Sequence, residues 1–230
     1  MRQGVVLDHL IRPEPRNAPS AILDCACGIG TQAIGLAVRG HQVHATDLSP
    51  QAVTRALKEA PSFGVTLTGG VADMRTLDDE VPGEYDVVIA CDNALPHLLS
   101  DEDLYLAAQN ILAKLHPRGL FVASIRDYDA LLEERPQAEM PRVMDGPEGR
   151  RIAFQTWDWA PNEPPRYTVH QFLVRQTVER WVTTHFVTEY RALRRANLET
   201  VLQKAGFIAM RWSMPQDSGY YQPIVLARKA

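Results

Sequence analysis

Cysteine is scarce: three occur in 230 residues, at positions 25, 27 and 91. That is too few for a disulfide framework. Cys25 and Cys27 are separated by a single residue, and no set of cysteines and histidines with metal-ligand spacing accompanies them. The expectation is small, buried, reduced side chains and no metal. Long hydrophobic runs are missing as well. No stretch approaches the roughly 18 apolar residues of a membrane-crossing helix. An excess of positive charge is also absent, since 24 Lys and Arg face 28 Asp and Glu for a net charge of −4. Nucleic-acid binding through a basic surface is therefore not expected. The opening "MRQGVVLDHLIRPEPRNAPS" is too polar for a secretory signal, so a cytoplasmic location is the default expectation. Repeats and low-complexity segments are lacking. What remains is 45% hydrophobic and 23% charged, an ordinary globular balance. The length suits one domain, or one domain with a sizeable insertion, and a large core.

The apolar pattern predicts helix and strand in alternation. "VVLDHLI" has helical spacing, broken by Pro13, Pro15 and Pro19. "AILDCA" reads as a short buried strand. Thr31 to Arg39 reads as a helix ended by Gly40, and "HQVHATD" as a second strand. Ser49 is placed to cap a helix that begins with Pro50 and runs to about Lys58. "VTLTGGVAD", "YDVVIACDN" and "GLFVASIRDYD" read as the third, fourth and fifth strands. A helix over about Asp103–Leu115 precedes the fifth. Near-continuous apolar strands suit a parallel sheet covered on both faces, with ligands at the carboxyl ends of the strands.

After Leu132 the pattern changes. "EERPQAEMPRVMDGPEGR" reads as a loop. "RIAFQTWDW", "RYTVHQFLVRQ" and "WVTTHFVTEY" then suggest an antiparallel meander. A helix over Arg191–Ala205, stopped by Gly206, and the strands "FIAMRWSM" and "QPIVLARK" close the chain.

The chemistry is concentrated in "ILDCACGIGTQAIGLA", residues 22–37. A strand, a glycine-bearing turn and a helix form a nucleotide-binding arrangement. Gly28 and Gly30 allow a tight turn and close approach of the backbone to a ligand, with Ala33 third in the G-x-G-x-x-A spacing. Asp47, at the end of the second strand, is where an acid accepts both ribose hydroxyls. NAD and S-adenosylmethionine both bind this way. Three features favour the second. Asp24 sits before the glycines, which suits a ligand with an ammonium and a sulfonium and no phosphate. Asp73 follows the third strand, placed to accept from an adenine amino group. The chain closes with helix, strand and strand rather than a second nucleotide-binding half. Asp24 as a turn-former and Asp73 as a helix cap remain the alternatives.

"LDCACGIGTQAIGLA", "HATDLSPQAV", "GGVADMR" and "YDVVIACDNALPHL" together resemble the ordered motifs of class I S-adenosylmethionine-dependent methyltransferases. The resemblance covers about Ala21 to Ser124 and the closing helix and strands. It implies an α/β fold: a Rossmann-like seven-stranded sheet with helices on both faces. A small antiparallel β cap is expected after the fifth strand. The sheet domain would take 1–132 and 191–230, and the loop and cap 133–190. It implies S-adenosyl-L-methionine as cofactor, held by Asp24, Ala26, Gly28, Gly30, Gln32, Asp47, Leu48, Ala72, Asp73, Met74, Cys91 and Asp92.

"CDNALPHL" and "SIRDYD" also resemble the corresponding segments of glycine and sarcosine N-methyltransferases. That resemblance places Asn93 and His97 on the first motif, and Arg126, Tyr128 and Asp129 on the second. It implies an arginine that binds a substrate carboxylate and an asparagine that positions the acceptor. Asp127 and Ile125 stand where the family has Asn and His, and residues 1–20 do not resemble the family's longer aromatic N-terminal arm, so either the arm precedes this sequence or the lid is formed differently. Asn93, His97, Arg126 and Tyr128 are the candidate catalytic residues. An ion pair of Arg126 with Asp127 or Asp129 is the alternative for the arginine. Trp157, Trp159, His170, His185 and Tyr190 are candidates to line a substrate pocket or to pack.

The expected activity is methyl transfer to a small molecule, most of all the amine of an amino acid such as glycine or sarcosine. The alternatives are an O-methyltransferase for a natural-product or sugar-like hydroxyl, and a non-catalytic donor-binding module. Nucleic-acid methylation is disfavoured, because Cys91-Asp92-Asn93-Ala94 replaces the N-P-P-Y loop that stacks a flipped base. No membrane partner is expected, and a homo-oligomer is left open.

Overall fold

The computed structural model describes residues 2–12, 19–147, 149–161 and 163–230. The breaks expected at Pro13 and Pro15, and Glu148 of the expected loop, lie outside the described residues. The chain divides into two compact units, Met1–Leu95 with Ser100–Asp127 and Arg195–Ala230, and Pro96–Leu99 with Tyr128–Arg194.

The first unit is built on the expected sheet. Its helices are α1 (Arg2–Ile11), α2 (Thr31–Ala37), α3 (Pro50–Glu59), the short α4 (Leu77–Glu80) and α5 (Asp101–Ala113). Its first strands are β1 (Ala21–Asp24), β2 (Gln42–Asp47), β3 (Thr68–Val71), β4 (Tyr85–Ala90) and β5 (Leu115–Ser124). After the second unit, with α6 (Tyr128–Glu134), β6 (Arg142–Gly146), β7 (Gly149–Trp159), β8 (Arg166–Gln176) and β9 (Trp181–Arg191), come α7 (Arg195–Ala205), β10 (Ile208–Ser213), the single turn α8 (Pro215–Ser218) and β11 (Ile224–Arg228).

Seven strands pair in the order β10-β11-β5-β4-β1-β2-β3. β1 to β5 run parallel, whereas β11 is antiparallel to both β5 and β10. The centre is apolar on both faces: Ile22, Leu23, Val88, Ile89, Phe121, Val122 and Val225 are all fully buried. Strands covered on both sides need this continuous pattern, which is why the sequence shows no alternation there. The order reverses between β1 and β4, and it is at the carboxyl ends of strands at such a switch point that open α/β sheets form their ligand crevice. α3 starts as expected: Ser49 accepts the Ala52 N–H at 3.2 Å, and Pro50 fills the first helical position. α1 packs on α2 through Gly4 and Gly35. A Cβ on Gly4 would come within 2.7 Å of the Gly35 backbone.

β6 to β9 of the second unit form a four-stranded antiparallel sheet in sequence order. Three of its strands match the expected meander. Two expectations are corrected: the fifth strand stops at Ser124, and Tyr128 and Asp129 begin α6 instead of ending that strand; and the expected loop over 133–150 holds the end of α6, the start of β7 and all of β6 (Arg142–Gly146), which pairs with β7. Pro136 and Pro141 made that segment look unstructured. They flank β6 without entering it, so its ladder hydrogen bonds are kept.

Candidate functional site

The turn after β1 is held from β2. The Gly28 N–H donates to Asp47 Oδ2 at 2.8 Å, the Ser49 N–H to Asp47 Oδ1 at 2.9 Å, and the Cys27 N–H to the Thr46 carbonyl at 2.8 Å. Each Asp47 oxygen keeps a second acceptor position, which suits a pair of ribose hydroxyls. The two glycines differ. Gly28 (φ 51°) would meet nothing within 4 Å if it carried a Cβ. At Gly30 (φ 88°) that atom would lie 2.8 Å from Ala56 Cβ on α3. Gly28 is therefore open to a ligand, and Gly30 lets a helix close in. Ala26 is half-buried and Leu48 is exposed. Gln32 is buried away from open space and donates to Gln3 Oε1 of α1 and to the Tyr220 hydroxyl.

Asp24 ends β1 with its side chain buried. Its Oδ1 accepts a long bond from the Ala26 N–H (3.4 Å), and its Oδ2 is buried without a hydrogen-bond partner. Burial, with a further push from the Asp47 charge, raises its pKa to about 7. The folded chain thus binds this proton more tightly than the unfolded chain does. Stability from this group is full below pH 4 and is lost as pH rises through about 7. Equilibrium unfolding in urea is expected to show the ligand-free protein less stable at pH 8 than at pH 5, by on the order of 2.5 kcal/mol from this residue. Asp24→Asn is expected to remove that slope, and an unchanged slope would show that Asp24 is not its source. A buried acid that is costly to ionise is also what a neighbouring cation would relieve.

At the end of β3, Ala72 and Met74 are buried and Asp73 is partly exposed. Both Asp73 oxygens are held by Arg75, with Nε at 3.1 and 3.0 Å and a terminal nitrogen at 2.6 Å. This pairing keeps the Asp73 carboxyl below its ordinary pKa. Arg75 also reaches Asp103 Oδ1 at the start of α5, at 2.9 Å. An adenine amino group would share Asp73 with this guanidinium. Sequence reading did not reach Arg75, although it stands only two residues beyond Asp73 in "ADMR".

The end of β4 is the most constrained part of the crevice. Cys91 is buried, and burial pushes its thiol pKa up. Asp92 and Asn93 both adopt left-handed backbone, with φ of 59° and 67°. Such residues cost about 1–3 kcal/mol each, least for Asn and Asp. Bonds from neighbouring strands hold them. The Asp92 N–H donates to Ser124 Oγ at 2.8 Å, which donates to Gln222 Oε1 at 2.9 Å. The Asn93 N–H donates to the Ser124 carbonyl at 3.0 Å, and the Arg126 N–H to Asn93 Oδ1 at 3.1 Å. The Tyr221 hydroxyl donates to Asp92 Oδ1. Asn93 is therefore a buried link between the ends of β4 and β5, and Arg126 is half-buried two residues beyond the end of β5. Asp127 pairs with Arg195 at 2.6 Å, so its carboxylate serves that guanidinium.

His97 and Tyr128 belong to the second unit. His97 is exposed, with its ring 4.4 Å from that of Tyr190. Tyr128 is buried, and its hydroxyl lies 2.8 Å from that of Tyr167. Trp157, Trp159 and Tyr190 pack around the Tyr167 ring at 5.2, 4.8 and 5.5 Å. His170 and His185 lie on the opposite face of that sheet. No helix among the described residues is long and apolar enough to cross a membrane.

A methyltransferase-domain family model matches residues 22–119. Over 126 residues the chain is 33% identical to the glycine/sarcosine N-methyltransferase of Parasynechococcus marenigrum, covering 55% of this chain and 45% of that protein. The chain spans about half the length of the curated relatives it matches. Among solved structures, CalS10, an amino pentose methyltransferase of Micromonospora echinaspora, was determined with S-adenosylmethionine bound. It superposes with a TM-score of 0.77 at 16% identity, over 100% of this chain and 91% of that one. The sugar N-methyltransferase KedS8 of Streptoalloteichus superposes with a TM-score of 0.78 at 15% identity, over 99% and 86% of the two chains. The open backbone at Gly28 and the buried, unpartnered Asp24 Oδ2 both fit the cofactor of this family. With the strand order, the turn and the match over 22–119 in agreement, the chain carries a class I S-adenosylmethionine-dependent methyltransferase domain.

Proposed function

We propose that the chain methylates the amine of a small carboxylate-bearing molecule, an amino acid such as glycine or sarcosine. The observation that carries this reading is the Asn93–Arg126 link at the ends of β4 and β5. Asp47 would take the ribose hydroxyls, the Gly28 turn the methionine part, Asp24 the positive charge, and Ala72, Asp73 and Met74 the adenine. Bound S-adenosylmethionine supplies an already activated methyl group. The protein's task is then to align the acceptor with it and to exclude water. A desolvated crevice favours the neutral, nucleophilic amine. Asn93 would orient that amine, and Arg126 would clamp the carboxylate.

Arg126→Ala is expected to raise KM for a carboxylate-bearing amine about 100-fold, the worth of a charged hydrogen-bonded pair. Little change is expected in donor affinity. A panel of glycine, sarcosine and an amino sugar, followed by product formation, checks this. Unchanged kinetics in the variant would remove Arg126 from the acceptor site. The likeness to sugar methyltransferase folds extends over essentially the whole chain, the antiparallel sheet included. That supports a second reading with an amino sugar as acceptor. Turnover of the sugar alone, indifferent to Arg126, would select it.

A further inference from the structure

On the face of the antiparallel sheet away from Trp157 and Tyr167, three polar side chains run diagonally across β7, β8 and β9. Asp158 Oδ2 lies 3.0 Å from His170 Nε2, and His170 Nδ1 lies 2.9 Å from His185 Nε2. A carboxylate only accepts, so Asp158 fixes the hydrogen on His170 Nε2 and leaves Nδ1 as a lone pair. That lone pair faces the nearest nitrogen of the second imidazole. The rings are stacked in a row: His170 lies on His185 at 5.1 Å, His185 on Phe172 at 4.7 Å, and Phe172 on Phe154 at 4.9 Å. His170 is about one-quarter exposed and His185 is exposed, so an ion can reach them from solvent.

We propose that His170 Nδ1 and His185 Nε2 form a two-imidazole site for a divalent transition-metal ion, with Asp158 orienting the His170 ring from behind. A carboxylate on the far nitrogen of a ligating histidine is the usual outer partner in protein metal sites, where it sets the tautomer and raises ligand basicity. For metal–nitrogen bonds of about 2.0–2.1 Å, two nitrogens 2.9 Å apart subtend about 90° at the metal. That is the angle between neighbouring ligands in tetragonal copper(II) or nickel(II). Tetrahedral zinc would need the nitrogens about 3.4 Å apart. Binding moves the His185 proton from Nε2 to Nδ1, and a small rotation of each ring turns the two lone pairs onto one point. No group of three or more His, Cys, Asp or Glu side chains among the described residues could hold a metal, so water completes the coordination.

Calorimetric titration of the full chain with nickel(II), and separately with zinc(II), tests this. The unaltered chain is expected to bind one equivalent of nickel(II), more tightly than zinc(II). His170→Gln and His185→Gln should each lose that equivalent, and Asp158→Asn should weaken it about 10–100-fold. Equal nickel binding by the unaltered chain and both glutamine variants would overturn the site. Unchanged affinity in Asp158→Asn would overturn the orienting role. A readout on the unaltered chain frees the test from variant folding, since paramagnetic nickel(II) should broaden the ring resonances of His170 and His185 first. Earlier broadening of any other histidine would overturn the assignment.

Discussion

Asp47→Ala is expected to lower affinity for S-adenosylmethionine at least 100-fold and to leave the chain folded. The carboxylate is assigned two ribose hydroxyls, and a hydrogen bond to a charged group is worth about 1.5–3 kcal/mol. Two such bonds give a factor of roughly 10² to 10⁴. A second loss compounds the first, because the same oxygens hold the Gly28 and Ser49 N–H groups. Without them the glycine turn keeps only the Cys27–Thr46 backbone bond to β2. The side chain is half-exposed at a strand end, so the released N–H groups can turn to water and global stability should fall little. Calorimetric titration with the donor, and with NAD as a control, reads the effect. Asp47→Asn separates charge from geometry, since it keeps one acceptor. Full donor affinity in the alanine variant would mean that the ribose lies elsewhere.

Gly69→Ala is expected to destabilise the fold by more than about 3 kcal/mol, beyond the ordinary range for an overpacked site. Gly69 pairs with Ala45 across β2 and β3, and a Cβ there would stand only 1.9 Å from the Ala45 carbonyl oxygen. No rotamer relieves a clash between two backbones, so β3 must move off β2. For a chain of this size, such a loss lowers the melting midpoint by roughly 10 °C. β2 ends in Asp47, and β3 leads directly to Ala72 and Asp73. Donor affinity should therefore fall together with stability. Thermal unfolding followed by donor titration checks both, and a midpoint within a degree or two of the parent would show that the β2–β3 edge yields without cost.

Much of this architecture is legible in the sequence because it rests on local rules. Ser49-Pro50 is a cap and first-turn pair, and it starts α3 where expected. The apolar strands from Ile22 to Val122 announce a sheet buried on both sides. The crevice is partly legible for the same reason, since Asp24, Gly28, Asp47 and Asn93 all fall at strand ends. What stays hidden depends on distant partners. The roles of Gly28 and Gly30 separate only when α3 is seen beside one of them. Ser124, Gln222 and Tyr221 brace Asp92 from segments 30 to 130 residues away, and nothing in their local sequence signals it. β6 was hidden because its pairing with β7 outweighs a weak intrinsic preference. Tyr128 looked like a site residue from its motif, yet its hydroxyl is bound to Tyr167, nearly forty residues on.

The Asp127–Arg195 ion pair joins the two residues of the sheet unit that flank residues 128–194 of the second unit. The two ends of a 67-residue excursion are thereby fastened at a single point of the sheet unit. Closing a loop between fixed ends depends only weakly on its length. The excursion can thus lengthen, shorten or be exchanged at small cost to the sheet, while Asp24, Gly28 and Asp47 stay where they are. Over evolutionary time one such frame thereby tolerates different insertions at this junction. The same junction is where an engineer would graft a foreign one.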